Sequence, residues 1–549
     1  MEYLARDYGV IPGADATVAL QTALERMAEI AGEKTLVLEQ GEYHLYSRSA
    51  CKPKLFITNT VGDRQWKRGE APHVNCVALR LHAQRDLTID GNGSVFVLHG
   101  QMTNVAITQC SNLTLRGLTL RTDNPDMHEL RVVACGGSYA EFELDRDSRY
   151  ERRGRRYDFV GQDYRTPFTA HCNTARWIAR IPHDDANSVC RVAHPLRGRR
   201  SIREIAPHRF RVSYWGKRDF RVGDAFYLYD ERRKYQGIFI DRSERIELRD
   251  LEQNFNYGLA LVCQDSADIG VYGCRFRPAS DGAKRMASAA DFVQICMCRG
   301  DVTLRDNTFV GAGDDCLNAH GVHYRIVRVQ GDRIDVRYCH PQTHGFNPLR
   351  AGDAIAFVSD RTLLARGQTR ILQTQMLDEY TIRLQLEDAS LARKGDVIED
   401  KSAVPNVEFS RNFMTRIITR GVLLTVGGKA VIADNDFDNT SMHSILISDD
   451  ARSWYESGNV TDVEIRGNRF GRCVGYTVQV LPENRVHGGA VHRNIRVTDN
   501  RIESGDQGGF YFKSAGGVVL RNNRSAAPLR IECVSSQVAN EDADASMQS

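Results

Sequence analysis

The sequence lacks a large charge imbalance, long apolar runs and many prolines. It carries 73 basic and 70 acidic residues, a net charge of +3, and only 14 prolines. This balance gives no general attraction to nucleic acid or to an anionic membrane. No run of about 18 apolar residues occurs, so we expect no transmembrane helix. Residues 1–6 also lack a basic segment followed by an apolar one, so we expect no signal peptide.

Paired cysteine motifs are lacking as well. The 14 cysteines are scattered singly apart from Cys296 and Cys298, and that C-x-C pair has no second pair at zinc-finger spacing. We interpret the cysteines as buried free thiols that act as small hydrophobic side chains. Free thiols without a leader favour a cytoplasmic location, whereas a leader trimmed from the chain would make the protein secreted or periplasmic.

The sequence does contain a repeated phrase, apolar-x-apolar-x-x-Asn-x-apolar. The interval from Asn412 to Asn435 is the same as the interval from Asn500 to Asn523. The steps from Asn435 to Asn468 and from Asn468 to Asn500 are longer, as if a loop of about ten residues were added to the same unit. A further copy runs from Val302 to Phe309 and contains Asn307, and degenerate copies begin at Leu113 and Ile246.

A fixed period of this length predicts a solenoid, and alternation within each unit predicts strands. We therefore expect an all-β chain: a right-handed parallel β-helix with an N-terminal capping helix and two inserted β-barrel domains. The Asn of each unit is expected to adopt the left-handed conformation and to bond to its stacked neighbour. Leucine-rich repeats would need helical segments in a Leu-rich pattern, which the sequence does not contain.

Residues 14–31 form the one convincing amphipathic helix. Asp15 or Thr17 is the expected cap. The helix should cover the N-terminal end of the solenoid, whose first coil would otherwise expose strand edges. Its predicted apolar face consists of Val18, Leu20, Leu24, Met27 and Ile30.

Two segments interrupt the period, residues 128–236 and 322–402. Both contain alternating strands without the Asn phrase, and they share a Gly-Asp turn between similar strands, at Gly223 and Gly352. Two related inserted β-barrels are the simplest interpretation. The expected division is coil over 1–127, 237–321 and 403–529, the two inserts between them, and a disordered polar tail over 530–549.

Carboxylates are concentrated around the segment Gly311-Ala312-Gly313-Asp314-Asp315. Adjacent residues in a strand point to opposite faces, but two glycines permit a bend that brings both carboxylates to one side. Asp291 precedes Asp314 by the interval that separates Asn412 from Asn435, which is one period of the solenoid. We therefore expect Asp291 one coil below the pair, about 4.8 Å along the axis.

Three carboxylates so close cannot all stay ionised, so one should hold a proton near neutral pH. An acid that holds its proton beside ionised carboxylates is what glycoside hydrolysis requires. A surface turn and a calcium site are the alternative interpretations of such a cluster.

The spacing of Asp291 and Asp314-Asp315, followed by Asn318-Ala319-His320-Gly321, resembles glycoside hydrolase family 110, the exo-acting α-1,3-galactosidases. The segment from Asp449 to Gly458, with Trp454-Tyr455-Glu456, resembles a second signature of that family. The chain also resembles the wider pectin-lyase-like β-helix superfamily. It departs from the family at Gln294-Ile295, where members often carry His-Phe.

The resemblance implies an inverting hydrolase that releases terminal α-1,3-linked galactose from blood-group-B-type or linear αGal glycans. Asp314 would be the general acid, and Asp291 and Asp315 would hold and deprotonate the attacking water. No metal or organic cofactor would be needed. The residues expected to bind substrate are Asn318, His320, Trp454, Glu456, Arg285, Gln264, Arg420 and His344.

The expected partner is a galactose-terminated oligosaccharide or glycoconjugate, with no nucleic acid or membrane partner and a homodimer left open. A polygalacturonase is a second interpretation, but its acidic substrate commonly meets an Arg-x-Lys pair in this superfamily. None of the four lysines after Asp315 follows an arginine two positions earlier. The third interpretation is a glycan-binding β-helix without catalysis.

Overall fold

The computed structural model of the chain describes residues 1–170, 178–229, 232–503, 508–541 and 546–548. Its main body is a coil of parallel strands with two β inserts. In each coil a strand of one sheet is followed by strands of a second sheet, and the chain then returns to the first sheet one coil further along. Strands of successive coils pair in parallel, as Val293–Cys296 does with Leu317–Val322.

The first of the coil's two sheets flanks the candidate site. Its parallel strands are Val77–His82, Thr103–Thr108, Ile238–Asp241, Leu261–Gln264, Val293–Cys296, Leu317–Val322, Val422–Thr425, Ile445–Ile447, Val478–Val480, Gly509–Lys513, Arg530–Val534 and Ser546–Gln548. A short strand, Glu456–Ser457, adds to Leu317–Val322 in the antiparallel direction.

The second sheet forms the rest of the coil wall. Its strands are Glu2–Leu4, Lys34–Val37, Glu42–Tyr46, Arg85–His99, Ser111–Asp123, Glu244–Arg249, Glu252–Gln253, Ala267–Tyr272, Arg275–Phe276, Arg299–Arg305, Thr308–Ala312, Asn406–Ser410, Phe413–Ile417, Lys429–Ala433, Asp436–Thr440, Asp462–Arg466, Arg469–Cys473, His492–Thr498, Arg501–Ile502, Ala515–Arg521, Arg524–Ser525 and Val538–Asn540.

The repeated asparagines form a buried ladder inside the coil. The side-chain oxygen of Asn435 accepts hydrogen bonds from the backbone N–H and the side-chain amide of Asn412, at 2.9 and 3.1 Å. The same pair of bonds recurs along the series Asn307, Asn412, Asn435, Asn468, Asn500 and Asn523. The predicted bond between stacked asparagines is therefore confirmed.

The predicted left-handed conformation of the ladder residue is wrong. The residue before each ladder asparagine has the positive φ instead, for example Asp434 at 58° and Asp499 at 58°. The turn is therefore made one position before the asparagine, whose side chain then points into the coil. Backbone groups at the turn lack the partners that a regular strand would give them, and the asparagine amide bonds to these groups instead.

Replacing Asn435 by Ala is expected to destabilise the protein by about 2–3 kcal/mol, because it leaves buried groups of two neighbouring coils without a partner. Urea unfolding measures the change. Asn187, exposed in the first insert, is the control, and its replacement by Ala should change stability by less than about 0.5 kcal/mol. Equal losses in the two variants would contradict a structural role for the ladder.

The predicted helix is present as Thr17–Glu29. Leu20, Leu24 and Met27 are buried in the main core, whereas Val18 is 62% exposed, so its placement on the apolar face is wrong. Val18 lies about 160° around the axis from Leu20, at about 100° per residue, which turns it to solvent. Among the described residues, no helix has the length and apolarity to span a membrane.

The predicted cap, Asp15 or Thr17, is wrong, although Asp15 bonds to the first residue of the helix. Its carboxylate accepts a hydrogen bond from the Thr17 N–H at 3.1 Å and from the Thr17 hydroxyl at 2.6 Å. The N-cap itself is Ala16, which has no side-chain capping bond. Two short 3₁₀ helices complete the helical structure of the described ranges, Ala5–Tyr8 and Asp63–Gln65.

The first insert differs from the predicted barrel, because its described strands form two antiparallel sheets. The edge strands of the larger sheet, Cys190–Val192 and Arg199–Ala206, expose several arginine side chains, and charged edges oppose closure into a ring. In sheet order the larger sheet is Cys190–Val192, Ile178–Ile181, Ala225–Tyr229, Met127–Gly136, Tyr139–Leu144, Arg209–Tyr214 and Arg199–Ala206; the smaller is Tyr150–Arg153, Arg156–Val160 and Arg165–Pro167.

The second insert is a closed six-stranded barrel, as predicted. It has its own apolar core, which includes Tyr324, Tyr338 and Phe357. Around the ring its strands are Tyr324–Gln330, Arg333–Arg337, Thr381–Leu386, Ala365–Met376, Ala354–Val358 and Val397–Asp400.

The predicted disorder after residue 529 is wrong for the described part of that segment. Arg530–Val534, Val538–Asn540 and Ser546–Gln548 are strands that continue the coil. Ile531 is fully buried and pairs in register with Phe510 of the preceding coil. The apolar position in an otherwise polar segment is what allows it to add another turn.

Candidate functional site

Stacking of the coils brings Asp291, Asp314 and Asp315 together. Asp291 precedes the strand Val293–Cys296, and the Asp pair precedes Leu317–Val322. The first residues of these two strands are paired with each other, and the Phe292 N–H donates to the Asp315 carbonyl at 2.9 Å. Asp291 therefore lies level with Asp315 on the adjacent coil, and all three carboxyl groups line one cavity.

The two glycines before the Asp pair serve close packing as well as bending. Gly311 has a φ of +83°, which favours glycine. A side chain on Gly313 would bring a Cβ within 2.5 Å of the backbone of Ala289 in the preceding coil. The backbone can carry both carboxylates to the cavity because this position has no side chain.

Asp315 is held by a dense set of donors. Its carboxylate accepts from the Arg420 backbone N–H at 3.0 Å, from Arg420 Nε at 2.8 Å and from Arg420 Nη2 at 2.5 Å. The Thr419 hydroxyl donates to the same carboxylate. A bidentate guanidinium pair of this kind fixes the orientation of a carboxylate as well as its charge. Only 2% of the Asp315 side chain is exposed.

Asp314 is bound by two arginines of the first insert. Arg191 Nη2 donates to Asp314 Oδ1 at 3.0 Å, and Arg233 Nη2 donates to Oδ2. Burial alone would raise the pKa of Asp314, but Arg233, Arg191 and Arg420 lower it to about 2. Asp314 is therefore ionised at neutral pH in the absence of substrate.

Asp291 binds its proton more tightly than an ordinary aspartate does. Burial and the neighbouring Asp314 raise the pKa of Asp291 well above its usual value, although Arg233 lies 3.9 Å away and opposes them. Only 4% of the Asp291 side chain is exposed, against 15% for Asp314. The cluster thus combines one carboxyl group with a raised pKa and one with a lowered pKa at the floor of a cavity, as expected for like charges that share a site.

The cavity has a volume of about 120 Å³ and an acidic lining. Six carboxyl groups face it but only two guanidinium groups, those of Arg233 and Arg420. The carboxyl groups beyond the Asp trio are Asp450, Glu456 and Glu483. Such walls can accept hydrogen bonds from many hydroxyl groups and disfavour an anionic ligand.

Asp450 shapes the loop that carries Trp454. Its carboxylate accepts backbone N–H groups from Arg452 at 2.7 Å, from Trp454 at 2.6 Å and from Tyr455 at 3.3 Å. Trp454 lines the cavity, is 44% exposed and stacks on His340 with 4.3 Å between ring centroids. The loop therefore presents an indole ring in a fixed position at the mouth.

Glu456, Asn318 and His320 form a second connected group. Asn318 Nδ2 donates to Glu456 Oε1 at 3.1 Å, and both residues line the cavity. His320 lies behind them: its Nε2 is 2.9 Å from Gln294 Nε2, and its Nδ1 is 2.8 Å from the Gly321 carbonyl. The tautomer that satisfies both contacts donates from Nδ1 and accepts at Nε2. His320 thus supports the wall.

Three predicted binding residues lie away from the cavity. Arg285 pairs with Glu129 of the first insert, with two contacts of 3.2 Å. Gln264 is buried; it accepts the Thr58 N–H at 3.0 Å and donates to the Phe56 carbonyl at 3.1 Å. These contacts make both residues anchors of neighbouring segments.

His344 is the third. It stacks on Tyr380 with 4.3 Å between ring centroids and lies near His73. The potential ligand atoms of His73, His344 and Glu379 lie within 4.8 Å of one another, and Lys54 Nζ is 3.1 Å from Glu379 Oε1. This cluster is separate from the Asp trio, and its neighbour Lys54 already supplies a cation to Glu379.

Sequence reasoning missed several residues of the cavity, among them Arg233, Asn59 and Glu483. The repeat could have found Glu483. The strands Ile445–Ile447 and Val478–Val480 pair from their first residues onward, and the same offset places Glu483 over Asp450. Arg233 and Asn59 have no periodic signal, since both lie in segments outside the repeat.

Two family models match the chain. One, the GLAA-B β-barrel domain II, matches residues 333–398, within the second insert. The other, a right-handed β-helix region, matches residues 382–525. The second match supplies the handedness of the coil.

An exopolygalacturonase from Thermotoga maritima superposes on this chain with a TM-score of 0.44 and 8% identity, covering 100% of this chain and 92% of that one. This likeness is too distant to support an inference.

Curated relatives match over nearly the whole chain. "Alpha-1,3-galactosidase A" of Bacteroides fragilis (strain YCH46) is 30% identical over 532 residues, 94% of this chain and 86% of the relative. The protein of the same name from Streptomyces avermitilis is 30% identical over 545 residues, again 94% and 86%. "Alpha-1,3-galactosidase B" of Phocaeicola vulgatus is 26% identical over 554 residues, 94% and 89%. The chain therefore belongs to the α-1,3-galactosidase family, the glycoside hydrolase family 110 that its aspartate motif resembles.

Proposed function

We propose that this protein is an exo-acting glycoside hydrolase that releases terminal α-1,3-linked galactose from glycans with inversion at the anomeric carbon. The observation that carries the proposal is the proton-holding Asp291 beside the ionised Asp314 on the floor of a small acidic cavity. The substrate class follows from the relatives, whose names give them α-1,3-galactosidase activity.

Asp314 is the proposed proton donor. It is the most exposed carboxylate of the trio and so the best placed to reach the glycosidic oxygen, whereas Asp315 is already saturated by Thr419 and Arg420. Asp291, assisted by Asp315, is the proposed base. In the reaction Asp314 gives its proton to the glycosidic oxygen, the bond from C1 to that oxygen breaks, and Asp291 takes a proton from the water that attacks C1.

The proton positions of the substrate-free protein fit this cycle. Inverting hydrolysis leaves the acid ionised and the base protonated. That distribution, Asp314 ionised and Asp291 protonated, is the one that burial and the arginines favour here. A proton must then pass from Asp291 to Asp314 before the next turnover, so the resting protein corresponds to the product side of the cycle.

The charge of the cavity separates this proposal from a polygalacturonase. A galacturonic acid would bring a further carboxylate into walls that already hold six carboxyl groups against two guanidinium groups. Neutral galactose brings only hydroxyl groups, which the carboxylates and Asn318 can bind. We expect kcat/KM for an α-galacturonoside to be at least about 10²-fold lower than for the matching α-1,3-galactoside.

The test incubates the purified protein with an α-1,3-linked galactosyl disaccharide and its galacturonosyl counterpart, and measures monosaccharide release. Proton NMR of the galactoside reaction at early times should show β-galactose before mutarotation. Early α-galactose would contradict inversion, and faster release of galacturonic acid would replace the proposal with the polygalacturonase. Binding of the disaccharide without any release would identify a glycan-binding β-helix.

A further inference from the structure

An open groove adjoins the cavity on the far side of Trp454. We call it the outer groove; its walls include Gly62, Arg337, His340, Gln342, Tyr380 and Trp454. Its volume is about 810 Å³, against about 120 Å³ for the cavity. The walls come from the segment around Gly62 in the N-terminal coil, from the second insert and from the Trp454 loop. None of these residues carries the hydrolytic chemistry described above.

The cavity and the outer groove adjoin at Trp454. Trp454 lines both of them, and Asn59 of the cavity is close in the chain to Gly62 of the groove. The Asn59 N–H donates to the Gln342 carbonyl at 2.9 Å, which ties the segment leading from one space to the other onto the second insert. A chain attached to a sugar in the cavity has the groove as its adjoining space on the side of Trp454.

The groove walls are held in place by their own contacts. Gln342 Nε2 donates to Gln65 Oε1 at 2.9 Å, and Gln65 Oε1 also accepts the Gly62 N–H at 2.8 Å. Arg337 lies over the ring of Tyr380, with 5.1 Å from its guanidinium carbon to the ring centroid. The Trp454 ring stacks on His340. A surface ordered before the ligand arrives loses little entropy on binding.

The wall chemistry suits sugars. Trp454 offers an aromatic face for the apolar face of a pyranose ring, and Arg337 and Gln342 offer hydrogen-bond donors for its hydroxyl groups. The groove is also wide enough for more than one ring if the smaller cavity takes one. Aromatic residues with a few fixed polar groups are typical of ligand sites.

We infer that the outer groove binds the leaving-group part of the substrate and takes at least two sugars beyond the galactose that is cleaved. This inference rests on the proposed function, because it needs a galactosyl unit in the cavity. The preferred substrate is then an extended α-galactosyl glycan chain, since binding energy from remote sugars contributes to kcat/KM. The second insert then makes kcat/KM depend on the number of sugars in the leaving group.

The test compares kcat/KM for α-1,3-galactosides that carry one, two and three sugars on the leaving side, with 4-nitrophenyl α-galactoside as the minimal substrate. We expect kcat/KM to rise about tenfold when the second leaving-side sugar is added, the effect of one or two good hydrogen bonds. Arg337→Ala should remove most of this rise. Arg333→Ala, at the other end of the same barrel strand and outside the groove walls, should keep it.

Equal kcat/KM for all chain lengths in the unmodified protein would overturn the inference while leaving the hydrolase proposal intact. Failure to cleave any galactoside, the minimal one included, would count against the proposed function itself. Calorimetric titration of the Asp314→Asn variant with the same glycans gives an independent readout, in which affinity should rise with chain length. An affinity that does not depend on length would also overturn the inference.

Discussion

Asparagine in place of Asp314 is expected to lower kcat/KM for an α-1,3-galactosyl disaccharide by about 10³-fold, the usual contribution of a general acid. A sugar alkoxide leaves poorly unless it is protonated, and Asp314 is the proposed source of that proton. 4-Nitrophenolate leaves without protonation, so the same variant should lose only about tenfold on 4-nitrophenyl α-galactoside. The ratio of the two losses is the signature of an acid.

The Asp291→Asn variant should respond differently. Its proposed task is to take a proton from water, and every substrate needs that step. We expect a loss of about 10³-fold on both the disaccharide and the nitrophenyl substrate, each measured at the pH optimum of the variant, where Asp314 carries its proton. If Asp291→Asn instead shows the strong dependence on leaving group, Asp291 is the proton donor and the two roles must be exchanged.

A surface carboxylate provides the control for both variants. Asp462 pairs with Arg496 on the coil wall, and 41% of its side chain is exposed. Asp462→Asn should keep kcat/KM for both substrates and should unfold at the temperature of the unmodified protein. A comparable activity loss in this control would show that the assay responds to the fold and not to the cavity.

The pH dependence of the same variants gives a second check. The trio needs one proton for catalysis, so kcat/KM should fall as the pH rises through the pKa of Asp291, which burial and Asp314 raise above its usual value. In Asp291→Asn the remaining donor is Asp314, with a pKa lowered to about 2. The alkaline limb of the profile should therefore move to lower pH.

The repeat explains why much of the site could be predicted from the sequence. In a parallel coil, residues one period apart lie next to each other, so the spacing of one period placed Asp291 against the Asp pair. The same rule acts across the second insert: the strands Leu317–Val322 and Val422–Thr425 pair from their first residues onward, and that offset sets Arg420 over Asp315. Wherever the coil is regular, the number of residues between two positions in the sequence therefore tells whether their side chains are neighbours in space.

The unpredicted part of the site comes from segments outside this regularity. Arg191 and Arg233 reach Asp314 from the first insert, whose position over the coil depends on tertiary packing and leaves no periodic signal. Arg285 has a suitable position in the sequence, but Glu129 of the same insert binds it. Gln264 lies on a coil strand and is covered by the segment around Thr58. Inserts thus both add residues to the cavity and remove them from it.

The architecture could also be predicted where the sequence repeats or has a clear local pattern, and the predictions failed in the first insert and in the last coils. The Asn ladder, the helix and the second barrel follow from local patterns. The first insert differs because closure into a barrel depends on its edges, which the arginine-rich strand Arg199–Ala206 keeps open. The last coils differ because a single apolar side chain, Ile531, is enough to extend a solenoid that already exists.

Glutamine in place of Arg233 should move the whole pH profile of kcat/KM to higher pH. Arg233 lies between Asp314, to which it donates, and Asp291, 3.9 Å away. A positive charge favours the ionised form of a carboxyl group, so its removal raises the pKa of each neighbour. The acidic limb of the profile, where a second proton binds to the trio, then lies at a higher pH than in the unmodified protein. The alkaline limb, where the trio loses its last proton, also lies at a higher pH. Both limbs therefore shift upward.

The same variant should also lose activity at its own optimum, by about 10²-fold, because Asp314 loses one of the two groups that orient it. Arg233→Lys keeps the charge and loses the forked geometry. It should share the drop in kcat and keep the pH profile close to that of the unmodified protein. Arg191→Gln is the matched comparison, since Arg191 touches the same carboxylate but is 38% exposed, and its shift should be smaller.

The pH dependence of stability tests, independently of activity, whether the charge of Arg233 lowers the pKa of Asp314. In Arg233→Gln the folded-state pKa of Asp314 rises above its value in the unmodified protein, so the variant binds a proton that the unmodified protein does not. Its loss of stability should therefore be small below about pH 2, the pKa of Asp314 in the unmodified protein, should grow as the pH rises to the new pKa, and should stay constant above it. Thermal unfolding between acidic and neutral pH measures this. A loss that is the same at every pH, together with an unmoved activity profile, would mean that Arg233 only fills space and does not control the protons of the trio.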